Sequence, residues 1–383
     1  MTFLFMLIIW RIFLYGVAFL TQINFPFSPQ FPYSDIYMFP SGLPQWVWAW
    51  ANFDGVHYLT IAQHGYMAQF TQAFFPLFPL LMRFLGMILN DKFLIITGQI
   101  ISFISLSLAL VFFRKLLMFD YKPPVIFRSI AILLLFPTSF FFAAIYTESF
   151  FLLLVILTFY FARKRNWWLC ALIGALAAAT RITGILLLPA LCVEYMNVKL
   201  FSKNLVNGLA QKMVGLIKTP LLYIMPMGFV IYALYLQRNF GDWLYFWHAQ
   251  PAFGAERSAA FILPPQVIWR YIKILLTVSY TSNSFFTAAV EFIAYCGAVL
   301  LMIVGHKQRI RSSYLLFGWL VVLVPSLTGT LSSMPRYILL AFPLYLVLGI
   351  FLRRNLWFLT VSAIFLSMLI LFTSYFIRGL WVA

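Results

Sequence analysis

Asp54 is the single carboxylate in a polar stretch of an oily chain, Trp48-Ala-Trp-Ala-Asn-Phe-Asp-Gly-Val-His-Tyr-Leu-Thr-Ile-Ala-Gln-His-Gly-Tyr66. His57, Tyr58 and Ile61 follow it at i+3, i+4 and i+7, so a helix from Gly55 to Gln63 puts all three on one face. Gly65 then stands where a helix C-terminus often places glycine. The first turn of such a helix presents a carboxylate, an imidazole and a phenol together, a set suited to moving a proton. Two readings of Asp54 compete. As an N-cap it accepts the backbone N–H of Val56 or His57, worth about 1 kcal/mol. As a general base it takes a proton at a membrane surface.

Two arginines are the natural partners of that carboxylate. Arg181 lies in Ala177-Ala-Ala-Thr-Arg-Ile-Thr-Gly184, between apolar runs, and a guanidinium in hydrocarbon is costly unless it is paired or faces a wet cavity. Arg336 lies in Ser332-Ser-Met-Pro-Arg-Tyr337. There Ser332 or Ser333 would cap a helix, with Pro335 in its first turn. Arg336 would then sit at the positive end of the helix dipole, where a nearby anion offsets its charge. The structural alternative is that Arg336 snorkels to headgroups and Arg181 pairs with a buried carbonyl or carboxylate.

One carboxylate with separate cations suits transfer of a sugar from a lipid phosphate. The leaving phosphate needs positive charge, not a general acid. The acceptor hydroxyl needs a base. Hydrolysis of a glycosidic bond would instead need two carboxylates. No metal-ligand spacing such as H-x-x-x-H with a nearby acid occurs, so neither a metal nor a cofactor is expected.

Other polar residues fall near the same sites. Glu148, in Tyr146-Thr-Glu-Ser149, would orient an arginine or a sugar hydroxyl, unless it is only a surface acid. His248 and Gln250, in Gly241-Asp-Trp-Leu-Tyr-Phe-Trp-His-Ala-Gln250, are candidate sugar contacts, and Tyr337 joins them. Trp46, Trp48 and Trp50 form either an interfacial aromatic belt or a stacking surface for sugar rings. Phe74-Phe-Pro-Leu-Phe-Pro-Leu-Leu81, with two prolines, reads as a kinked re-entrant or surface helix.

The elements that must carry these residues are membrane helices. The chain has 383 residues, 64% hydrophobic and only 9% charged, where a soluble domain carries about a quarter charged. Apolar runs long enough to cross hydrocarbon recur throughout. The spans expected are 3–20, 93–117, 125–142, 148–163, 167–181, 184–197, 219–236, 284–304, 312–328, 337–352 and 357–376. The first is read as retained, since no small-residue cleavage site is visible and Arg11 interrupts it. A first outer segment, 21–92, carries Asp54, and a second, 237–283, carries His248 and Gln250. Within the second, 264–280 is read as an interfacial helix, because Arg270 and Lys273 interrupt its apolar run.

With the N-terminus inside, the larger share of the 26 Lys and Arg falls in cytoplasmic loops, as the positive-inside rule requires. The net charge of +17 is thereby explained without a nucleic-acid partner. The acids lean the other way. Asp35, Asp54, Asp91, Glu148, Asp242, Glu256 and Glu291 fall on or toward the outer side, and only Asp120 and Glu194 fall inside. Carboxylates contribute little to orientation, so a functional outer face is the simplest reason. Cys170, Cys192 and Cys296 lie in apolar segments and read as core residues, without disulfide or metal. No repeat or linker divides the chain, which reads as one domain, 1–383.

At these residues the chain resembles the PIG-V-type mannosyltransferases, the family of GPI mannosyltransferase 2 within the GT-C superfamily. Phe53-Asp-Gly-Val-His-Tyr-Leu-Thr-Ile-Ala-Gln-His-Gly-Tyr66 is similar to the family's aromatic-Asp-Gly-x-x-Tyr-x-x-Ile-Ala-x-x-Gly-Tyr signature. Phe74 to Leu81, Tyr146 to Phe151, Thr180 to Gly184 and Ser333 to Tyr337 match further blocks in the same order. The Gly241 to Gln250 stretch resembles a Gly-Asp-Pro-Leu-x-Phe-x-x-Ala-Gln block, with Trp243 at the proline. The resemblance implies an all-α polytopic GT-C fold with about 11 transmembrane helices and a large first outer loop with juxtamembrane helices. It also implies an inverting hexosyltransferase that takes sugar, mannose in the eukaryotic members, from a polyprenyl-phosphate donor. Asp54 falls on the position such enzymes use as base. Arg181 and Arg336 would hold the phosphate, and His57, Tyr58 and Glu148 would shape the pocket.

The short chain, compact loops and lack of any Asn-x-Ser/Thr sequon look like a prokaryotic member in the plasma membrane, with its site on the outer face. In a eukaryotic cell the site would face the endoplasmic reticulum lumen. Prokaryotes generally lack GPI anchors, so the acceptor, lipid- or glycan-linked, stays open. Two other classes of function remain. A binder or flippase of lipid-linked sugar would use the same arginines without chemistry. A solute transporter is disfavoured by the missing repeats and by acids at the outer face instead of mid-membrane.

Overall fold

The computed structural model describes residues 2–89, 93–198, 213–254, 257–258 and 260–382. Lys199, Lys203 and Lys212, expected in a cytoplasmic loop, lie outside the described residues, as do Asp91 and Glu256. Among the described residues the ordered elements are all helical, and no strand occurs.

Helix α1 (Thr2–Asn24) leads into a polar segment of short turns that delivers α2 (Asp54–His64) and α3 (Leu77–Leu89). Then follow α4 (Leu94–Leu117), α5 (Pro123–Leu135), α6 (Glu148–Arg163), α7 (Trp167–Thr180) and α8 (Leu187–Val198). A short turn, Leu221–Ile224, runs into α9 (Met227–Phe240). The second polar segment holds α10 (Pro264–Thr277). The chain closes with α11 (Asn283–Lys307), α12 (Ser312–Ser326), α13 (Met334–Leu340), α14 (Phe342–Phe351) and α15 (Asn355–Ile377). Among the described residues five helical stretches are long and apolar enough to cross a bilayer, or up to six if the bent α13–α14 pair is one span, and shorter apolar helices accompany them. The protein is a multi-pass helical membrane protein.

Helix α6 is the centre. Its residues are apolar on all sides after Glu148, the pattern of a helix buried all round, and it packs against α4 and α7. The outermost helices show the reverse: α1 and α15 leave Ile12, Phe5, Leu356 and Leu359 exposed, as helices facing lipid tails do. Arg11 in α1 turns inward, where Nη1 donates to the Ala143 carbonyl at 2.7 Å and Nη2 to the Tyr15 hydroxyl at 3.1 Å. The cysteines are free.

Three expected spans differ in detail. The one expected over 125–142 ends at Leu135, before Pro137, and a 3₁₀ turn, Ser139–Phe142, follows. The span expected over 219–236 corresponds to one candidate span, Leu221–Phe240, with a local irregularity at Pro226 before α9, and it runs on to Phe240, where Gly241 (φ +74°) stops it. The stretch 337–352 is not one straight helix: α13 and α14 meet at 78° around Ala341. Pro343 opens α14 and cannot donate to a continuous helical ladder, so the break belongs there. In the stretch 74–81, α3 starts after Pro76 and holds Pro79 in its first turn, where no N–H is needed. Helix α10 exposes Trp269 and Leu276 while Val267 and Tyr271 are buried, and it is not among the candidate spans.

Ionic groups collect at the two ends of α6, whose 16 residues span about 24 Å. At its C-terminus Arg163 pairs with Asp120, and the fully buried Glu194 accepts from Arg311 Nε at 2.7 Å and from Ser313 Oγ at 2.5 Å. At its N-terminus stands Glu148, at the second cluster.

Candidate active site

The chain around Asp54 is fixed from both sides before Asp54 itself is placed. Trp50 is fully buried, and its carbonyl accepts the Ile145 N–H at 2.9 Å. Asn52 donates to the Phe376 carbonyl at 2.5 Å, and its own carbonyl accepts the Tyr146 hydroxyl at 2.8 Å. That hydroxyl in turn accepts the Asp54 N–H at 3.2 Å. Phe53 adopts φ +57°, ψ −114°, a region disfavoured for a bulky side chain by about 1–3 kcal/mol. Its ring is held against Phe31 and Trp381. Asp54 therefore opens α2 with its side chain directed away from the helix.

The capping reading of Asp54 does not hold, since no side chain caps the start of α2. The carboxylate goes to Arg336, whose Nη1 donates to Oδ2 at 2.5 Å. The side chain of Asp54 is 22% exposed, and Oδ1 carries no protein hydrogen bond among the described residues. Burial pushes the carboxyl up, but the Arg336 guanidinium, His57 and Arg257 together hold it below its ordinary value.

Arg336 is presented by a second strained turn. Ser333 sits at φ +63°, ψ 15°, with no side-chain cap, so the expected serine cap is absent. An N-cap residue takes extended backbone, whereas Ser333 is left-handed; its N–H is held by the buried Glu291, which accepts it at 3.2 Å and accepts the Tyr271 hydroxyl at 2.6 Å. Pro335 stands in the first turn as expected. The Arg336 guanidinium lies 4.7 Å over the Tyr146 ring.

Glu148, fully buried, lies beneath both arginines: Oε1 accepts from Arg336 Nε and from Arg181 Nη1, each at 2.5 Å. Arg181 Nη1 also donates to Thr147 Oγ1 at 3.0 Å. Arg181 is extended (φ −154°, ψ 148°) at the break after α7. Gly184 closes that break, where a Cβ would come within 2.4 Å of the Ala177 carbonyl. Two guanidiniums and two carboxylates thus balance in one cluster.

The cluster opens into a cavity of about 160 Å³. Asp54, Tyr58, Arg181, Gln250, Arg336 and Tyr337 line it. Glu148 is not on the wall, so it touches the arginines and not the cavity. His57 is not on the wall either: it stacks on Phe74 at 4.8 Å and meets Phe253 edge-on. Burial lowers its imidazole, with Asp54 opposing. Burial raises the Tyr58 phenol, and the Asp54 charge adds to this.

A larger, mostly apolar cavity of about 560 Å³ adjoins the first, lined by residues such as Phe229, Phe246, Phe261 and Leu327. His248 belongs to this second cavity, with Nδ1 at 2.7 Å from Asp242 Oδ2, while Gln250 lines both. Of the three tryptophans near residue 48, Trp48 and Trp50 are buried and none lines either cavity, so a sugar-stacking role is not theirs.

Arg257 and Trp381 line the polar cavity without any signal in the sequence reading. Arg257 lies in the polar part of the second segment, outside any motif. Trp381 lies in the tail after α15. Ser28 and Gln30 donate their N–H groups to the Arg378 and Gly379 carbonyls at 2.8 Å, and Gln30 Oε1 accepts the Trp381 N–H at 2.9 Å. These bonds fold the tail back so that the indole lines the polar cavity. Among the described residues no group of three or more His, Cys, Asp or Glu side chains could hold a metal ion.

A multi-pass helical membrane protein with a paired-charge cavity beside an apolar one is the class that fold and site define. The profile of the family described as Mannosyltransferase (PIG-V) matches residues 2–295, and the chain belongs to that family. It is a membrane glycosyltransferase. No curated protein and no solved structure matches the chain.

Proposed function

We propose that the protein transfers a hexose, mannose by its family, from a polyprenyl phosphate to an acceptor hydroxyl on the extracytoplasmic face, with inversion. The observation that carries this reading is that Asp54 is the one carboxylate on the wall of the polar cavity among its described residues. A single displacement at the anomeric carbon needs one base. Asp54 Oδ1 takes the proton of the acceptor hydroxyl as its oxygen bonds to the anomeric carbon. The bond from that carbon to the phosphate oxygen breaks, and the electron pair leaves on the phosphate. A base held below its ordinary pKa is weak, but proton transfer can be late when the leaving group is already good.

Arg336 holds Asp54 in the ionised form and in place. Arg181 and Tyr337 stand on the wall to receive the sugar end of the donor, with Tyr58 and Gln250 as further substrate contacts. Glu148 and His57 support the pocket from behind. When Asp54 takes the proton, the four-charge cluster gains one net positive charge, which favours the departing anion. The apolar cavity accommodates the first isoprene units of the donor, and His248 stands at its wall. We read the whole chain as one GT-C domain of about 11 crossings, with 21–92 and 237–283 forming its outer face.

The test is mass-spectrometric identification of product from purified protein in nanodiscs, supplied with synthetic polyprenyl-phosphate sugars and a set of lipid and glycan acceptors. A hexose-bearing product of opposite anomeric configuration to the donor is expected. Retained configuration, or lipid movement without product, would sink the reading.

A further inference from the structure

The polar and apolar cavities share a short border. Of its polar residues, Thr183, Gln250, Arg257 and Tyr337 line both, and Arg257 alone among them is charged. A polyprenyl-phosphate sugar is built in the same order, with a polar ring, an anionic phosphate and an apolar chain, so a donor lying across both cavities puts its phosphate at that border.

The charges already present decide which cation can take it. Arg336 pairs with Asp54 and Glu148, and Arg181 pairs with Glu148. Both are committed to carboxylates. Arg257 makes no carboxylate pair among the described residues: its Nη1 donates only to Gln250 Oε1, at 3.2 Å. Gln250 is itself oriented by Phe246, whose carbonyl accepts its Nε2 at 3.0 Å.

A second observation points to the same place. Thr183 is 4% exposed, and its hydroxyl has no hydrogen-bond partner among the described residues. An unpaired buried hydroxyl costs about 1–3 kcal/mol, and a ligand oxygen at the border would satisfy it.

We propose that Arg257 and Thr183 are the residues that hold the phosphate of the lipid donor, at the junction of the two cavities. The assignment rests on the lipid-phosphate reading given above, and moves the phosphate from the expected Arg181–Arg336 pair to a cation with no carboxylate at ion-pair distance among the described residues. Arg181 and Arg336 then serve the base and the sugar side. Arg257 supplies charge-assisted hydrogen bonds and Thr183 a neutral one.

Binding is measured with the full chain in nanodiscs of zwitterionic phospholipid, using a short-chain polyprenyl monophosphate, the matching uncharged polyprenol, and inorganic phosphate as competitor. The wild type should prefer the monophosphate to the polyprenol. Arg257→Gln should lower that preference by roughly 30-fold, and Thr183→Val by roughly 5-fold, with polyprenol binding unchanged in both. Arg257→Lys should recover part of the loss. Unchanged preference in both Arg257→Gln and Thr183→Val overturns the assignment and leaves the lipid-phosphate reading standing. A wild type with no preference for the monophosphate overturns that reading itself. Inorganic phosphate competing as well as the lipid shows a free-anion site and overturns the junction proposal. The ratio between the two lipids separates phosphate recognition from a merely structural effect, which would weaken both.

Discussion

Arg336 and Asp54 form a 2.5 Å ion pair across 282 residues of chain. Each is delivered by a short turn that contains a non-glycine residue at positive φ, Ser333 for Arg336 and Phe53 for Asp54. Such backbone persists only where the surroundings over-determine it. Here the Glu291 carboxylate holds the first turn, and the Asn52, Tyr146 and Phe376 contacts hold the second. The pair is therefore set by packing in the fold before any substrate arrives.

Glu148 carries the opposite half of the same cluster. Removing it leaves two guanidiniums near the protein interior with one carboxylate between them, an imbalance that costs about 3–5 kcal/mol for a buried pair. Glu148→Ala should lower the thermal unfolding temperature of the detergent-solubilised protein markedly. Glu148→Asp, which keeps the charge, should recover part of the loss. A Glu148→Ala protein that melts like the wild type contradicts the structural role given to this residue.

The pH dependence follows from the sign of the Asp54 shift. Its carboxyl is held below the ordinary value of about 3.9, so it stays ionised as pH falls to that point. The stabilisation from its ion pair, and its competence as a base, are lost only as pH falls through the lowered value. The acid limb of kcat/KM should therefore lie below the ordinary carboxylate range. His57 is one of the groups that lower it. His57→Phe keeps the ring against Phe74 but removes the charge, so the acid limb should move up by a few tenths of a pH unit. A downward movement would show that the sign is wrong.

Trp381 tests the tail. Its indole faces the polar cavity and rests edge-on against Phe53 at 5.4 Å. Trp381→Ala removes an aromatic contact worth about 1 kcal/mol, and kcat/KM should fall roughly fivefold. Trp381→Phe should keep most of the activity. Equal activity for Trp381→Ala and wild type means that the tail closes the fold without touching substrate.

The helices were legible in the sequence because lipid imposes long apolar runs, and the ends of α4, α6 and α7 fall within a residue or two of their polar flanks. The breaks were less so. A stretch such as 337–352 has the composition of one span, and only Pro343 hints at the 78° bend. The Ser333 side chain suits a cap, but a cap needs extended geometry and its backbone is left-handed, a conformation supported by Glu291 of a distant helix. The cavity was half legible. Asp54, Arg181 and Arg336 announce themselves as charges in apolar or motif-bearing surroundings. Arg257 sits in a polar segment where an arginine draws no notice, and Trp381 is one of 12 tryptophans. Both are placed by contacts across the fold, which no local pattern records.

The central claim is that Asp54 is the base of sugar transfer. The most direct test is the turnover of purified, reconstituted Asp54→Asn beside wild type, with the same polyprenyl-phosphate-mannose donor, acceptor and lipid, and with matched thermal stability. The account predicts a fall in kcat of about 10²–10⁴-fold with donor binding retained. Equal turnover by the two proteins would contradict it.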